Sequence, residues 1–212
     1  GQFQMFGPHP EFHSPPIRQI IVIRHRQARG ADIDEDAAIV RLLKPVGEPG
    51  AYFASFGWTA TDGIDAAAVP GPDTLWTLED GATLTQNSPV TLSWDNGAGQ
   101  IFRTEISVDD AYMFTFVQSV QNATSNTVAA RPYGLLRRHG EPADLKNFFI
   151  LHEGMVRMTD GELEEAGYDD ITEYAVDPRE RTQAERLDAA SSGWIGYTDH
   201  YWMTTLIPEQ NP

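Results

Sequence analysis

The sequence contains no cysteine among its 212 residues. Disulfide bonds, thiolate-bound zinc and cysteine nucleophiles are therefore excluded. Long apolar runs are missing too, because the most apolar stretch, Ile17–Ile23, is interrupted by Arg18 and Gln19. A membrane helix needs roughly 20 apolar residues, so this stretch does not predict one. No signal-peptide pattern opens the chain.

Basic residues are scarce. Lys and Arg number 15 against 31 Asp and Glu, which gives a formal net charge of −16. A field of that sign repels phosphate backbones and anionic lipid, so we predict no nucleic-acid partner. The excess is uneven, since residues 160–188 carry eleven acidic and three basic side chains. This region is either a solubility feature or a surface for basic partners, and the partner-facing candidates are Glu162, Glu164 and Glu165.

Short strands joined by turns are abundant. Aromatic residues make up 10% of a chain that also holds 18 Gly and 14 Pro. Strand patterns recur about every 8–12 residues, which is typical of sandwiches and barrels. Asn96-Gly97 lies between two alternating runs and predicts a hairpin, and Asp160-Gly161 predicts another before Glu162–Glu165.

One helix is predicted from a capping pattern. Asp177, Pro178 and Glu180 stand where an N-cap acid, a first-turn proline and an N3 glutamate belong. The helix should run to about Ala190. Residues 1–16 are rich in Pro and Gly without periodicity, which indicates a linker or an irregular leading segment. We therefore expect the domain over residues 17–212.

Motifs for enzymatic chemistry are missing. The chain has no G-x-S-x-G elbow, dinucleotide loop or Walker loop, so we predict no catalytic residues and no cofactor. His152-Glu153 lacks the second histidine of a zincin, because position 156 is valine. His139, His152 and His200 would form a metal site only if the fold brought them together, and their spacing is not diagnostic. We expect no metal.

Aromatic residues are concentrated near the end of the chain, and such residues beside carboxylates either fill a core or line a groove for a sugar or peptide. The candidates for cleft or ligand contact are Trp194, Tyr197, Asp199, His200 and Trp202.

Seven segments along the chain carry distinctive motifs: AYFASFGW (51–58), PGPDTLW (70–76), TEISV (104–108), RPYGLLRRHG (131–140), FILHEG (149–154), DGELEE (160–165) and GWIGYTDHYWMTTLIPE (193–209). In this order they resemble the periplasmic domain of YidC-type membrane protein insertases.

The resemblance implies an all-β, mainly antiparallel β-supersandwich, similar to galactose mutarotases, with one or two short surface helices. It implies an accessory, non-catalytic role at the periplasmic face of the bacterial inner membrane. The domain would support insertion and folding of inner-membrane proteins. Accessory subunits of the Sec translocon and nascent inner-membrane proteins are the implied partners, and the membrane helices of the insertase lie outside this chain.

The chain departs from the family pattern at both ends. Residues 1–16 match poorly, and the family's domain continues well past the position of Pro208. We therefore expect this domain to be incomplete on its C-terminal side.

Two other functions stay open at this point. A mutarotase-like sugar epimerase would pair a histidine (139, 152 or 200) with a carboxylate, either Glu153 or Asp199. A carbohydrate-binding module without turnover would use Trp194, Tyr197 and Trp202.

Overall fold

The computed structural model describes residues 12–13, 17–25, 43–142, 145, 152–199 and 202–209. Strands dominate these residues, and every pairing named below is antiparallel. The strands are β1 (Phe12–His13), β2 (Ile17–His25), β3 (Tyr52–Ala60), β4 (Thr77–Asp80), β5 (Val90–Asp95), β6 (Gln100–Val108), β7 (Met113–Asn122), β8 (Ala130–Arg138), β9 (Gly154–Thr159), β10 (Glu162–Gly167), β11 (Val176–Asp177), β12 (Thr182–Gln183), β13 (Gly193–Thr198) and β14 (Trp202–Pro208).

Helical structure is sparse in the described residues. It consists of a 3₁₀ turn at Ala66–Ala68 and one short α-helix, α1, at Tyr168–Thr172. No helix there is both long and apolar enough to cross a bilayer. The predicted all-β, mainly antiparallel fold with one or two short helices is confirmed.

The chain divides into two compact units. The first comprises Gly1–Ile21, Ser55–Leu135 and Asn211–Pro212, and the second comprises Val22–Ala54 and Leu136–Gln210. Strands β3 and β8 pair with each other, and each contributes residues to both units. The single domain predicted over residues 17–212 stays a prediction. So does the leading segment, of which only residues 12–13 are described, paired with the end of β7.

In the first unit, β4, β5, β6 and β7 form a sheet in that order. The predicted hairpin joins β5 to β6 through a four-residue loop, Asn96–Gly99, in which Gly97 and Gly99 have φ angles of 70° and 96°. Such positive φ angles are what glycine supplies without strain. The Asp95 carboxylate accepts the Gly97 N–H at 2.8 Å, so the local sequence fixes the turn.

The core of the first unit lies between this sheet and the Ser55–Ala60 part of β3. Phe102 is 0% exposed and meets Trp58 edge-on, with 5.2 Å between ring centroids. Burial of one such side chain contributes about 1.5–3 kcal/mol. Phe56 of β3 stacks on Phe116 of β7 at 3.9 Å. Two β-layers thus face each other across an aromatic core, which is the predicted sandwich packing.

The second unit contains the sheet order β10–β9–β13–β14. The Asp160-Gly161 turn joins β9 to β10, with φ angles of 52° and 93°, as a two-residue hairpin turn requires. This confirms the second hairpin prediction.

The Asp160 carboxylate also binds a distant backbone segment. It accepts the N–H groups of Ala190, Ser191 and Ser192 and the Ser191 hydroxyl at 2.7–3.1 Å. These hydrogen bonds lower the pKa of Asp160. One side chain therefore ties the segment before β13 to the β9–β10 turn.

The predicted helix from Asp177 to Ala190 is wrong. Residues 176–177 and 182–183 instead form the hairpin β11–β12. The Asp177 carboxylate accepts the N–H groups of Arg179 and Glu180, as an N-cap would, but the chain then turns. Arg181 has a φ of 58°, and its N–H bonds to the Asp177 carbonyl at 2.8 Å. The capping chemistry is shared by helices and Asx turns, and here it closes a turn.

Candidate functional site

The residues predicted for a cleft lie on and after β13, but the strand separates them. Side chains alternate along a strand, so Trp194 and Tyr197 point to opposite faces of the sheet. Trp202 shares the face of Tyr197, because Thr204 lies directly opposite Tyr197 and two residues from Trp202. His200 lies outside the described residues. Trp194 and Tyr197 therefore do not line one common surface.

Asp199 belongs to a buried ion pair. Its side chain is 12% exposed, and its Oδ1 lies 2.5 Å from Nη1 of Arg138. The Tyr168 hydroxyl completes a triangle, accepting from Arg138 at 2.8 Å and donating to Asp199 at 3.0 Å. Arg138 ends β8, Tyr168 begins α1, and Asp199 directly follows β13. The triangle thus fastens three elements of the second unit together.

Aromatic rings lie beside the Arg138 guanidinium. It lies over the Tyr52 ring at 4.4 Å and near the Tyr168 ring at 5.8 Å. Tyr197 meets Tyr52 edge-on at 6.0 Å and is parallel to Tyr168 at 6.3 Å. A cation over an aromatic face is attracted by the ring quadrupole, most strongly away from water. We call these five residues the Arg138 cluster: Tyr52, Arg138, Tyr168, Tyr197 and Asp199.

Electrostatics keep the three tyrosines of the Arg138 cluster neutral and Arg138 charged near neutral pH. Burial raises the pKa values of Tyr52, Tyr168 and Tyr197, so these phenols stay neutral. Burial is the largest single effect on the pKa of Arg138 and would lower it. The Asp199 hydrogen bond and the charge interactions with Tyr168, Asp199 and Tyr52 together outweigh burial, so the pKa of Arg138 is raised. The cluster therefore holds a charged guanidinium among neutral phenols.

The Arg138 cluster predicts alkaline sensitivity. In the unfolded chain a tyrosine has a pKa of about 10. Because the folded pKa values are higher, the stabilisation is complete below pH 10 and is lost as the pH rises further. We expect the urea midpoint of the second unit to fall above about pH 10. Tyr197→Phe should flatten that fall, whereas Tyr112→Phe, in an exposed turn, should not. Parallel pH profiles of the two variants would contradict the assignment.

His152 and His139 make structural contacts. His152 Nε2 lies 2.8 Å from the Met155 carbonyl oxygen, and the His152 carbonyl accepts from Thr198 Oγ1 at 3.1 Å. The His139 ring meets Phe53 edge-on at 5.9 Å. Within the described residues, no group of three or more His, Asp or Glu side chains is placed to hold a metal ion. Convergence with His200 stays untested.

The three acidic residues predicted to face a partner lie on β10, and all are exposed. Alternation puts Glu162 and Glu164 on one face of the sheet and Glu165, with Leu163, on the other. Glu164 is already engaged, since it forms a salt bridge with the buried Arg157, which Glu185 also contacts at 3.2 Å. Glu164 is thus partly engaged within the chain, and the exposed Glu162 and Glu165 remain the partner-facing candidates of β10.

The similarity of this chain to known proteins shows its family. A family model of the YidC periplasmic domain matches residues 23–212. The chain belongs to that family. The resemblance seen in the sequence is thereby confirmed, and the family is named for the periplasmic region of a membrane-associated insertase. No solved structure matched the chain.

Individual relatives carry the same name. The chain is 57% identical over 176 residues to the membrane protein insertase YidC of Roseobacter denitrificans, covering 83% of this chain and 29% of that protein. It is 55% identical over 181 residues to YidC of Ruegeria pomeroyi, covering 83% and 30% respectively. For YidC of Jannaschia sp. the identity is 52% over 180 residues, covering 85% and 29%. The chain thus spans under a third of the length of these YidC relatives.

Sequence reasoning selected Tyr197 and Asp199 of this YidC-family chain as candidates for ligand contact, not as members of a buried cluster, and it missed Tyr52, Arg138 and Tyr168. Arg138 lies 61 residues from Asp199, so no local period connects them. The resemblance did mark RPYGLLRRHG, but that motif does not tell which of its arginines is buried. A buried charge needs a buried partner, yet neither burial nor partner shows in the sequence.

Proposed function

We propose that this chain is the accessory, non-catalytic periplasmic domain of a membrane protein insertase. It supports insertion and folding of inner-membrane proteins through protein–protein contacts. The family match over residues 23–212 carries this proposal. The domain would work at the periplasmic face of the bacterial inner membrane, tethered by membrane helices of the insertase that lie outside this chain.

The chemistry of the described residues supports a non-catalytic role. Catalysis by a general acid or base needs a group that exchanges protons near neutral pH. Asp199, a candidate for an epimerase base, is instead bound to Arg138 and Tyr168. Polarimetry of freshly dissolved α-glucose tests this point, and anomerisation faster than in buffer would contradict it.

Partners are proposed from the family and from charge. Accessory subunits of the Sec translocon and nascent inner-membrane proteins are the candidates. The net charge of −16 favours basic surfaces on those partners. Glu162 and Glu165 are proposed as partner-facing, with Glu164 tied to Arg157. Ligand contact stays a prediction for Trp194, Tyr197, Asp199, His200 and Trp202. Because Trp194 and Tyr197 lie on opposite faces of β13, one ligand would not contact both.

The accessory role is tested in the full-length insertase. Cells depleted of their own insertase would receive it either intact or with residues 23–212 excised, and insertion of a radiolabelled inner-membrane protein would be measured. We expect excision to reduce insertion severalfold without abolishing it. Complete loss would show that the domain is essential to insertion, and unchanged insertion, with unchanged folding of the inserted protein, would show that it has no accessory role.

A photo-crosslinking residue locates the contact surface. Placed at Glu165, it should capture translocon subunits or nascent chains in inner membranes. Glu105 is the matched control, because it is an exposed glutamate on the central strand β6. Equal capture from both positions would contradict a specific role for β10.

A further inference from the structure

Strand β10 is the outer strand of its sheet. Among the described residues it pairs only with β9, in an unbroken register from Glu162↔Thr159 to Gly167↔Gly154. It has neither a bulge nor a proline, which are features that protect many natural edges from pairing. Both faces of Glu162–Glu165 are exposed. The strand therefore presents a regular, accessible edge.

The hairpin turn determines which backbone groups point outward. A two-residue turn makes Thr159 and Glu162 a hydrogen-bonded pair, and bonding then alternates along the strand. The backbone groups of Glu162, Glu164 and Ala166 thus face β9, while those of Leu163 and Glu165 face away. The outward N–H of Gly167 is satisfied by Asp170 Oδ2 at 2.9 Å. The open edge consists of the N–H and C=O groups of Leu163 and Glu165.

We propose that β10 accepts an extended, basic segment of a partner protein as an additional antiparallel strand. This inference deepens the proposed function, because it specifies how the partner-facing acids of the accessory domain would be used. Strand addition supplies main-chain hydrogen bonds for affinity, and the side chains of the host strand select the sequence.

Charge selects a basic segment over a second copy of this chain. The eleven residues from Asp160 to Asp170 include six acids and no base. Two such edges would place like charges opposite each other, which is destabilising, whereas opposite charges across strands are favourable. The same acids that disfavour an acidic strand therefore favour a basic one.

The side chains of β10 define the pattern of the segment. Leu163 is 57% exposed and lies in one row with the half-buried Met158 and Trp194 on the same face. An apolar residue opposite Leu163 would extend this row. Basic residues belong opposite Glu165 and Glu162, while Glu164 is bound to Arg157. Read in the antiparallel direction, the segment is basic–any–apolar–basic.

Hydrogen exchange of the chain with a synthetic peptide tests this inference. The probe is a capped peptide, Thr-Lys-Thr-Val-Lys-Thr, titrated against the ¹⁵N-labelled 212-residue chain. We expect the amide exchange of Leu163 and Glu165 to slow at least tenfold at saturation. The Glu164 amide already bonds to β9 and should change little. Unchanged exchange at Leu163 and Glu165 would overturn the proposal.

Two peptide controls separate strand pairing from simple charge attraction. The same peptide, N-methylated at alternate backbone nitrogens, keeps its charges but loses the N–H groups that would bond to β10. It should therefore not slow the amide exchange of Leu163 and Glu165. A peptide with glutamate in place of lysine should not bind. If the N-methylated peptide protects Leu163 and Glu165 equally, strand addition is wrong and only electrostatic contact remains.

Charge reversal on the chain completes the test. The double variant Glu162→Lys with Glu165→Lys should bind the lysine peptide at least tenfold more weakly and should now bind the glutamate peptide. Glu105→Lys on β6 should change neither affinity. Unaltered selectivity would refute the role of the two acids. This test is separate from the excision experiment on the full-length insertase. If the peptide does not bind but excision still reduces insertion, strand addition is wrong and the accessory role stands. If the peptide binds but excision leaves insertion unchanged, the accessory role is wrong and strand addition stands.

Discussion

Arg138→Met is expected to lower the free energy of unfolding of the second unit by about 3–5 kcal/mol, because removal of one partner from a buried ion pair leaves the other charge unpaired. Asp199 is 8% exposed, and its other described side-chain partner is the Tyr168 hydroxyl. Tyr52 and Tyr168 would also lose the cation between them. Urea unfolding followed by circular dichroism measures the change.

Two companion variants separate the charge from the packing. Arg138→Lys keeps the cation but loses the planar guanidinium over Tyr52, so we expect an intermediate loss. Arg138→Met combined with Asp199→Asn removes both charges and should recover part of the stability of the single variant. If the double variant is no more stable than Arg138→Met, the unpaired Asp199 carboxylate is not the source of the loss.

Phe102→Ala is expected to lower the free energy of unfolding of the first unit by about 3–5 kcal/mol. Phe102 is fully buried and contacts Trp58 and Trp94 with centroid distances of 5.2 and 5.8 Å. Truncation would leave a cavity between two rigid indoles, which have few alternative rotamers that could fill it. Urea unfolding followed by tryptophan fluorescence measures the change.

The matched control keeps most of the side-chain volume. Phe102→Leu should cost less than half as much as Phe102→Ala, because Leu refills part of the space. The alanine variant should accelerate amide exchange mainly in strands β5, β6 and β7 of the first unit. Equal losses for Leu and Ala would mean that the cavity does not decide the effect.

Local turn chemistry made part of the fold predictable. Asn96-Gly97 and Asp160-Gly161 contain residues that accept positive φ angles, and alternating runs lie on either side of them. The same short stretch of sequence therefore predicts both the turn and its two strands. In each case the information lies within about 20 neighbouring residues.

The failure at Asp177 has the opposite cause. An Asp followed by Pro and Glu satisfies free N–H groups in a helix and in an Asx turn alike, so the pattern does not decide between them. The outcome depends on longer-range contacts. Arg157 binds Glu185 from this segment, and the Asp160 carboxylate accepts the N–H groups of residues 190–192. Neither contact is visible in a short window of sequence.

The candidate site was predictable only in fragments. Glu162, Glu164 and Glu165 read as one acidic group, but the pleat divides them and Arg157 occupies one of them. Trp194 and Tyr197 read as one aromatic group and lie on opposite faces of β13. A linear sequence gives residue types, while the register between strands decides which of them meet.

The division of the chain into two units has a consequence for biogenesis. Residues 55–135, the bulk of the first unit, are interposed between the two segments of the second, 22–54 and 136–210. As the chain is synthesised from its N-terminus, residues 55–135 are complete before residues 136–210 are made. At that point the second unit still lacks more than half of its residues. Closing the second unit then requires contacts of high sequence separation, such as Tyr52 with Tyr197, and such contacts form slowly. The order of synthesis therefore favours folding of residues 55–135 before the second unit is completed.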